Sequence, residues 1–231
     1  VSTSAPARSA GRNPRWLYAG WAAAAGARAA IAARDGFGGD RSLLGGDWVE
    51  KTHGLVLHPD RRAGKPGASL LEMSLKPWCT AKQAAAALAA FVELLGEGVQ
   101  AREIAAIRVF VPSTYRGMIA HRPPGRIGRI VSIGWQCALA AFHRPELLDI
   151  ERADHSEEPD FAALMGKVEV IADSGLESCF PDRYPARVEI EMESGARAEK
   201  TIIDAPGDPG NPLDAEHVKA KFLRICAPHL Q

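Results

Sequence analysis

The stretch ARVEIEME, residues 186–193, alternates apolar and charged side chains without a break. Successive side chains of a strand point to opposite faces, so this pattern predicts a β-strand with one buried and one solvent-facing side. The two residues after it predict a turn, and residues 197–203 predict the returning strand of a hairpin. Further strands are predicted by three more segments, residues 68–74, 104–111 and 167–171.

Helical signals lie on both sides of these strands and between them. Helices are predicted for residues 14–34, for 81–95 behind a Thr80 cap, for 130–142, and from an Asp214 cap to about Cys226. Asp40 could cap one more short helix, ending at Leu44. This order of elements predicts an α+β fold whose smaller domain has a mainly antiparallel sheet.

The domain organisation is inferred from a change in the predicted elements at a polar loop, residues 58–67. Only helices are predicted before this loop, whereas strands and helices are mixed after it. We expect residues 1–66 to belong to an all-helical body, with 1–13 as a disordered leader. Residues 67–212 should form the α+β domain, and 213–231 a helix that returns toward the helical body.

Composition excludes several classes of protein. The 231 residues carry 28 basic and 28 acidic side chains, and this zero net charge argues against a general nucleic-acid binder. The uncharged run 16–27 is too short for a membrane span. Four cysteines without a CxxC pair favour reduced thiols and a cytoplasmic location. A targeting peptide is the alternative for residues 1–34, which hold five arginines and no acid.

Two segments carry the candidate chemistry. In the first, residues 76–80 (KPWCT) join a predicted strand to a predicted helix. A lysine there can lose hydration beside Trp78 or can hold a carboxylate, and the helix N-terminus adds donors for an anion. The alternative is an exposed lysine with a core Trp-Cys pair.

The second segment, residues 121–129, holds three arginines, whose guanidinium groups suit carboxylates. The alternative is a solvated basic loop, which has the same composition.

Other motifs in the sequence give weaker indications of function. GFGG at residues 36–39 follows a helix rather than a strand, so it predicts a helix stop and not a dinucleotide site. The chain contains no phosphate-binding GxxxxGK[ST] motif and no GxSxG elbow. His53 and His58 leave open a metal hydrolase, but their spacing matches no standard zinc pattern.

An ordered set of segments resembles the MmgE/PrpD family, which includes 2-methylcitrate dehydratase, cis-aconitate decarboxylase and iminodisuccinate epimerase. The set covers most of residues 14–226. Its members are RWLYAGWAAAAG (15–26), AAIAARDGFGGDRSLLGG (29–46), SLKPWCTAKQAAAAL (74–88), IVSIGWQCALAAF (130–142), KVEVIAD (167–173) and GDPGNPLDAEHVKAKF (207–222).

The resemblance implies a large helical domain, a smaller α+β lid and an active site between them. It also implies cofactor-free and metal-free chemistry on small di- or tricarboxylates, as a lyase or an epimerase, and a homodimer. Family chains are longer, and their helical half carries an aspartate, a threonine and a histidine of the active site. We therefore also expect a companion helical subunit as a possible partner. The alternative is a non-catalytic fragment, or one subunit of a split enzyme that serves as a lid or binding module.

The resemblance also assigns residues. Lys76 is the expected acid/base or charge-stabilising group. Three arginines are expected to hold the substrate's carboxylates, namely Arg15, Arg122 and Arg126. Three other polar side chains are expected to shape the substrate-binding site, namely Tyr18, Cys79 and Ser132. The chain departs from the family pattern in having Arg15 for a lysine, Tyr18 for a histidine and Trp135 for a tyrosine. No histidine follows Lys76 where the family has one; Cys79, Lys82 and Gln83 occupy that stretch.

Overall fold

A computed structural model of the chain describes residues 15–40, 47–54, 72–120, 125–149 and 152–227, with side chains from Gly20 onward. Described residues up to Gly54 belong to one compact unit, and those from Glu72 onward belong to a second. The sequence-based domain boundaries at residues 66 and 212 remain predictions. None of the helices in the described ranges combines the length and the apolar character that a membrane span requires.

The first unit contains helix α1 (Arg15–Arg34) and the short helix α2 (Trp48–His53). The predicted helix over residues 14–34 is confirmed over the part that the structure describes. It ends where Gly36 takes a positive φ of 92°, which confirms the helix stop. Nearly all described side chains of α1 are exposed, including Trp21 at 68%. The short helix expected after Asp40 falls on residues 41–46, outside the described ranges.

The second unit is built on a four-stranded sheet in the order β2-β1-β3-β4. Its strands are β1 (Ile104–Val111), β2 (Val168–Ala172), β3 (Ala186–Met192) and β4 (Arg197–Ile202). The pairs β1–β3 and β3–β4 are antiparallel, and β1–β2 is parallel. The sheet is therefore mixed, and mainly antiparallel as predicted.

The alternation that predicted β3 is borne out by burial. Ala186, Val188 and Ile190 are buried, whereas Arg187 and Glu189 on the other face are only half-buried. The strand predicted at residues 68–74 is wrong for 72–74, which are exposed and irregular. None of the four strands in the described ranges pairs with residues 72–74, and residues 68–71 lie outside those ranges.

The helices of the second unit are α3 (Lys82–Gly96), α4 (Ser113–Ala120), α5 (Gly125–Val131), α6 (Ile133–Phe142), α7 (Pro159–Gly166), α8 (Ser174–Glu177) and α9 (Ala215–Cys226). Helix α3 packs against β3, β4 and α6. All its side chains from Ala84 to Ala90 are buried, so alanine lets neighbouring elements approach it closely.

Two helix boundaries differ from the prediction. The single helix expected over residues 130–142 is broken at Ser132, whose Oγ accepts a hydrogen bond from the Trp135 backbone N at 3.4 Å and caps α6. Thr80 does not cap α3, because its hydroxyl donates instead to the main-chain oxygen of Ile130. The Asp214 cap of α9 is confirmed by its 2.8 Å hydrogen bond from the His217 backbone N.

Candidate functional site

The segment from Lys76 to Ala81 leads into α3 and is held by main-chain hydrogen bonds. The backbone N of Cys79 donates to the oxygen of Leu147 at 2.8 Å. The backbone N of Ala81 and the Thr80 hydroxyl both donate to the oxygen of Ile130, at 3.1 and 3.3 Å. The segment is therefore fixed against the helices that surround Ser132, although it has no regular secondary structure itself.

Lys76 is exposed, and its Nζ donates to the main-chain oxygen of Thr80 at 2.7 Å. Of the interpretations left open by the sequence, a lysine that loses hydration beside Trp78 and an exposed lysine, the structure agrees with the exposed lysine. Trp78 is half-buried and packs against the core. The ammonium group therefore closes the turn that precedes α3. An anion at the same place could also accept a hydrogen bond from it.

The start of this segment depends on a close approach to Gly207. The Leu75 backbone N donates to the Gly207 oxygen at 2.8 Å, and a Cβ on Gly207 would lie only 1.8 Å from the Leu75 oxygen. Gly207 also has a φ of 89°, which side-chain-bearing residues rarely adopt. Glycine is therefore required here if Lys76 is to keep its position.

The carbonyl of Cys79 accepts hydrogen bonds from two buried side chains. Arg152 Nη2 donates to it at 2.8 Å and Gln136 Nε2 at 3.4 Å. The Arg152 guanidinium also lies 4.9 Å from the centre of the Trp135 ring. Burial lowers the pKa of Arg152 from its usual value, but a guanidinium remains protonated under ordinary conditions. A fixed positive charge thus lies directly behind the candidate segment.

A second lysine reaches the same segment from the C-terminal helix. Lys221 of α9 is half-buried, and its Nζ donates a hydrogen bond to the main-chain oxygen of Lys76. Burial, followed by the positive charge of Lys76, lowers the pKa of Lys221, while the Cys79 thiol acts in the opposite direction. Sequence reasoning missed this residue, although it lies in the quoted segment 207–222. Lys221 is thus half-buried where it meets this segment, whereas Lys76 is exposed.

Lys82 lies in the stretch where the family pattern has a histidine. Its side chain forms an ion pair that stabilises the fold. Its Nζ forms an ion pair with Asp208, whose side chain is 7% exposed. The other carboxylate oxygen of Asp208 accepts from the Ala205 backbone N at 3.0 Å. The pair ties the start of α3 to the loop before α9.

The remaining predicted residues fall into three groups. Ser132 is buried and serves as the cap of α6, close to the carbonyl of Ile130 that holds Thr80. Arg126 is exposed on α5, and the predicted Arg122 lies outside the described ranges. Arg15 and Tyr18 are on α1 in the first unit, and their side chains are not described. Of these predicted residues, Lys76 and Cys79 share one segment, and Ser132 follows two residues after Ile130, whose oxygen holds that segment.

The fold of this second unit agrees with a comparison of the sequence with protein families. A model of the MmgE/PrpD C-terminal domain matches residues 77–231, which is more than half of the chain. The chain belongs to the MmgE/PrpD family. No curated protein matches it. The match begins at Pro77, so it includes Cys79, Arg152 and Lys221, and Lys76 immediately precedes it.

Within this MmgE/PrpD domain, the side chains around Cys79 can act on an anion. Lys76 and Lys221 bring two amino groups to one segment, and Arg152 adds a buried guanidinium. Such groups stabilise carboxylates and the negative charge that develops when a proton is removed beside one. Because the pKa of Lys221 is lowered by burial and by the charge of Lys76, its amine gives up a proton more readily than that of an ordinary lysine.

Metal-ligating groups lie elsewhere in this unit. In the part of the chain that the structure describes, the set with suitable spacing is His143, His155 and Glu158. His53, half of the pair considered from sequence, lies on α2 with its ring edge-on to Trp48 at 5.3 Å. His58 is outside the described ranges, so that alternative stays untested.

Proposed function

We propose that the chain contributes to a cofactor-free lyase or isomerase that moves a proton next to a carboxylate of a small di- or tricarboxylate. The observation that carries the proposal is the approach of Lys221 to Lys76 at the segment that opens α3. Membership of the MmgE/PrpD family supports the same class of chemistry.

The physical argument concerns the charge of the two lysines. Two neighbouring ammonium groups disfavour each other's positive charge, and this effect contributes to the lowered pKa of Lys221. A bound carboxylate would relieve the repulsion, so an anion is favoured where neither lysine alone would hold one tightly. The same two amines could then stabilise the enolate-like charge of the transition state.

Each predicted residue has a role in this proposal. Lys76 is the acid/base or charge-stabilising group, with Lys221 as its partner. Arg15, Arg122 and Arg126 would hold the remaining carboxylates, because a polycarboxylate needs cationic partners when it loses water. Cys79, Ser132 and Tyr18 would shape the site.

Binding of citrate, a small tricarboxylate, tests the proposal by titration calorimetry. Loss of a charged hydrogen bond is expected to weaken binding by about tenfold or more in Lys76→Met and in Lys221→Met. Lys219→Met is the matched control, because Lys219 is exposed on the same helix as Lys221. Equal affinity in all three variants would overturn the proposal, as would a Lys76→Met enzyme with full turnover in its complete assembly.

A second candidate function is that of a non-catalytic lid or binding subunit of a split enzyme. The exposed apolar side chains of the first unit favour a covering partner, since Trp21 is 68% and Phe37 74% exposed. Native mass spectrometry of the protein from its own host distinguishes the cases. A complex with a helical polypeptide would support a split enzyme, whereas a homodimer with carboxylate turnover would favour the first proposal.

A further inference from the structure

Two short His-x-x-Glu segments of the second unit meet at the turn that follows α6. One is His143 to Glu146, which joins the end of α6 to the 3-10 turn Arg144–Leu148. The other is His155 to Glu158, which leads into α7. Neither segment is used by the proposed carboxylate chemistry, and the sequence pattern alone did not relate them.

The ligand atoms of three of these side chains lie close together. Glu158 Oε2 lies 2.8 Å from His143 Nε2, and Glu158 Oε1 lies 2.6 Å from His155 Nδ1. All the ligand atoms of this set are within 4.8 Å of one another. Each contact is one in which a metal ion can take the place of the shared proton.

The fourth side chain orients one of the imidazoles. Glu146 Oε2 lies 2.9 Å from His155 Nε2, the ring nitrogen that points away from Glu158. A carboxylate on the far nitrogen of a metal-binding histidine fixes the ring and raises its basicity. His155 is 9% exposed, and its ring lies 5.8 Å from that of the buried Phe161. An apolar wall of this kind keeps water from one side of a metal site.

One rearrangement is required for a metal to bind. The His143 and His155 rings are stacked at 3.7 Å with 12° between their planes. The in-plane lone pairs of two parallel rings cannot converge on one ion, so one ring must turn. The side chain of His143 is 27% exposed against 10% for His155, and Glu158 is 49% exposed. His143 and Glu158 can therefore adjust while His155 stays in place.

We propose that His143, His155 and Glu158 bind a Zn²⁺ ion, with Glu146 as the residue that positions His155. Two imidazoles and a carboxylate form a ligand set that zinc favours, and three protein ligands leave a fourth coordination position open. The ion would join the end of α6 to the start of α7. None of these four side chains belongs to the segment from Lys76 to Ala81, and the zinc site does not depend on the proposed function.

The test is a calorimetric titration of chelator-treated full-length protein with ZnCl₂, followed by the thermal unfolding midpoint with and without zinc. We expect one ion per chain and a higher midpoint in its presence. His143→Ala should abolish stoichiometric binding. Glu146→Ala should weaken it by about 10- to 100-fold, which is the usual effect of losing such a positioning carboxylate.

The matched control is His217→Ala. His217 also lies beside a carboxylate, with Nδ1 at 2.7 Å from Asp214 Oδ1, but it is 71% exposed and outside the cluster. This variant should bind zinc as the parent does. Circular dichroism establishes that each variant is folded, and His143→Gln replaces His143→Ala if that variant is not.

Cobalt substitution separates this site from adventitious binding to the free thiols. Co²⁺ held by nitrogen and oxygen should show visible d–d absorption without a sulfur-to-cobalt charge-transfer band. Absence of stoichiometric binding, binding that survives the folded His143 variant, or a thiolate band would each overturn the proposal. In the first case the four side chains serve only as an ion-paired hydrogen-bond network.

Discussion

The Nζ of Lys221 donates a hydrogen bond to the main-chain oxygen of Lys76, which joins α9 to the segment before α3. The two residues are 145 positions apart in the chain. Their approach places a half-buried amine beside an exposed one, and the positive charge of Lys76 contributes to the lowered pKa of Lys221.

We predict that Lys76→Met raises the pKa of Lys221 toward that of an ordinary lysine. Burial is the larger cause of the lowered pKa and remains, so the return should be partial. As the pH rises, Lys221 in the parent loses its proton earlier than an ordinary lysine does, and the variant should shift this loss to higher pH. NMR titration of the lysine Cε signals measures the shift. A Lys219→Met control should leave Lys221 unchanged, and an unshifted Lys221 in Lys76→Met would contradict the proximity of the two charges.

We predict that Gly207→Ala destabilises the second unit and displaces Lys76. The positive φ alone costs about 1–3 kcal/mol for a residue with a side chain, and the added Cβ would also collide with the Leu75 oxygen. Gly195→Ala is the control, because Gly195 has a φ of 83° but open space around its Cβ position. Denaturant unfolding measures both. A loss in Gly207→Ala no larger than that in Gly195→Ala would show that the close approach is relieved without cost.

We predict that Cys137 resists alkylation by iodoacetamide in the folded protein. Its side chain is fully buried, and burial raises the pKa of its thiol, so almost no reactive thiolate forms. Cys79, Cys179 and Cys226 are half-buried and should react first. Peptide mass mapping with and without urea tests the order. Modification of Cys137 at the rate of Cys226 under native conditions would contradict the packing of α6.

We predict that Arg152→Met lowers the free energy of unfolding by about 1–3 kcal/mol, because the Cys79 carbonyl loses its shorter hydrogen bond. Methionine retains apolar contact with Trp135 but donates no hydrogen bond. Arg144→Met is the control, since Arg144 is exposed and its replacement should change stability by less than about 0.5 kcal/mol. Equal stability of the two variants would mean that Gln136 alone suffices to hold Cys79.

Strong local patterns predicted the elements well. The alternation over residues 186–193 yielded β3, the cap at Asp214 yielded the start of α9, and the Ala-rich run yielded α3 within one residue at each end. These patterns succeed because side-chain periodicity and capping depend on neighbours in the chain. The helices α4 and α7 were missed, since their eight-residue lengths show too little periodicity.

Only some residues of the candidate site could be predicted from the sequence. Lys76 and Cys79 lie in one short segment that bears the family resemblance, so they could be singled out. Lys221 and Arg152 could not, because they reach that segment through chain folding. The same holds for His143 and His155, whose rings stack only because α6 and α7 pack side by side.

The sequence by itself therefore determined the α+β class, most element boundaries and the likeness to the MmgE/PrpD family, because these follow from local periodicity and ordered motifs. Only the tertiary structure decided that Lys221 is half-buried while Lys76 is exposed, and which histidines share a carboxylate. Burial and proximity arise from contacts between residues far apart in the chain, and it is these contacts that set charge and ligand geometry.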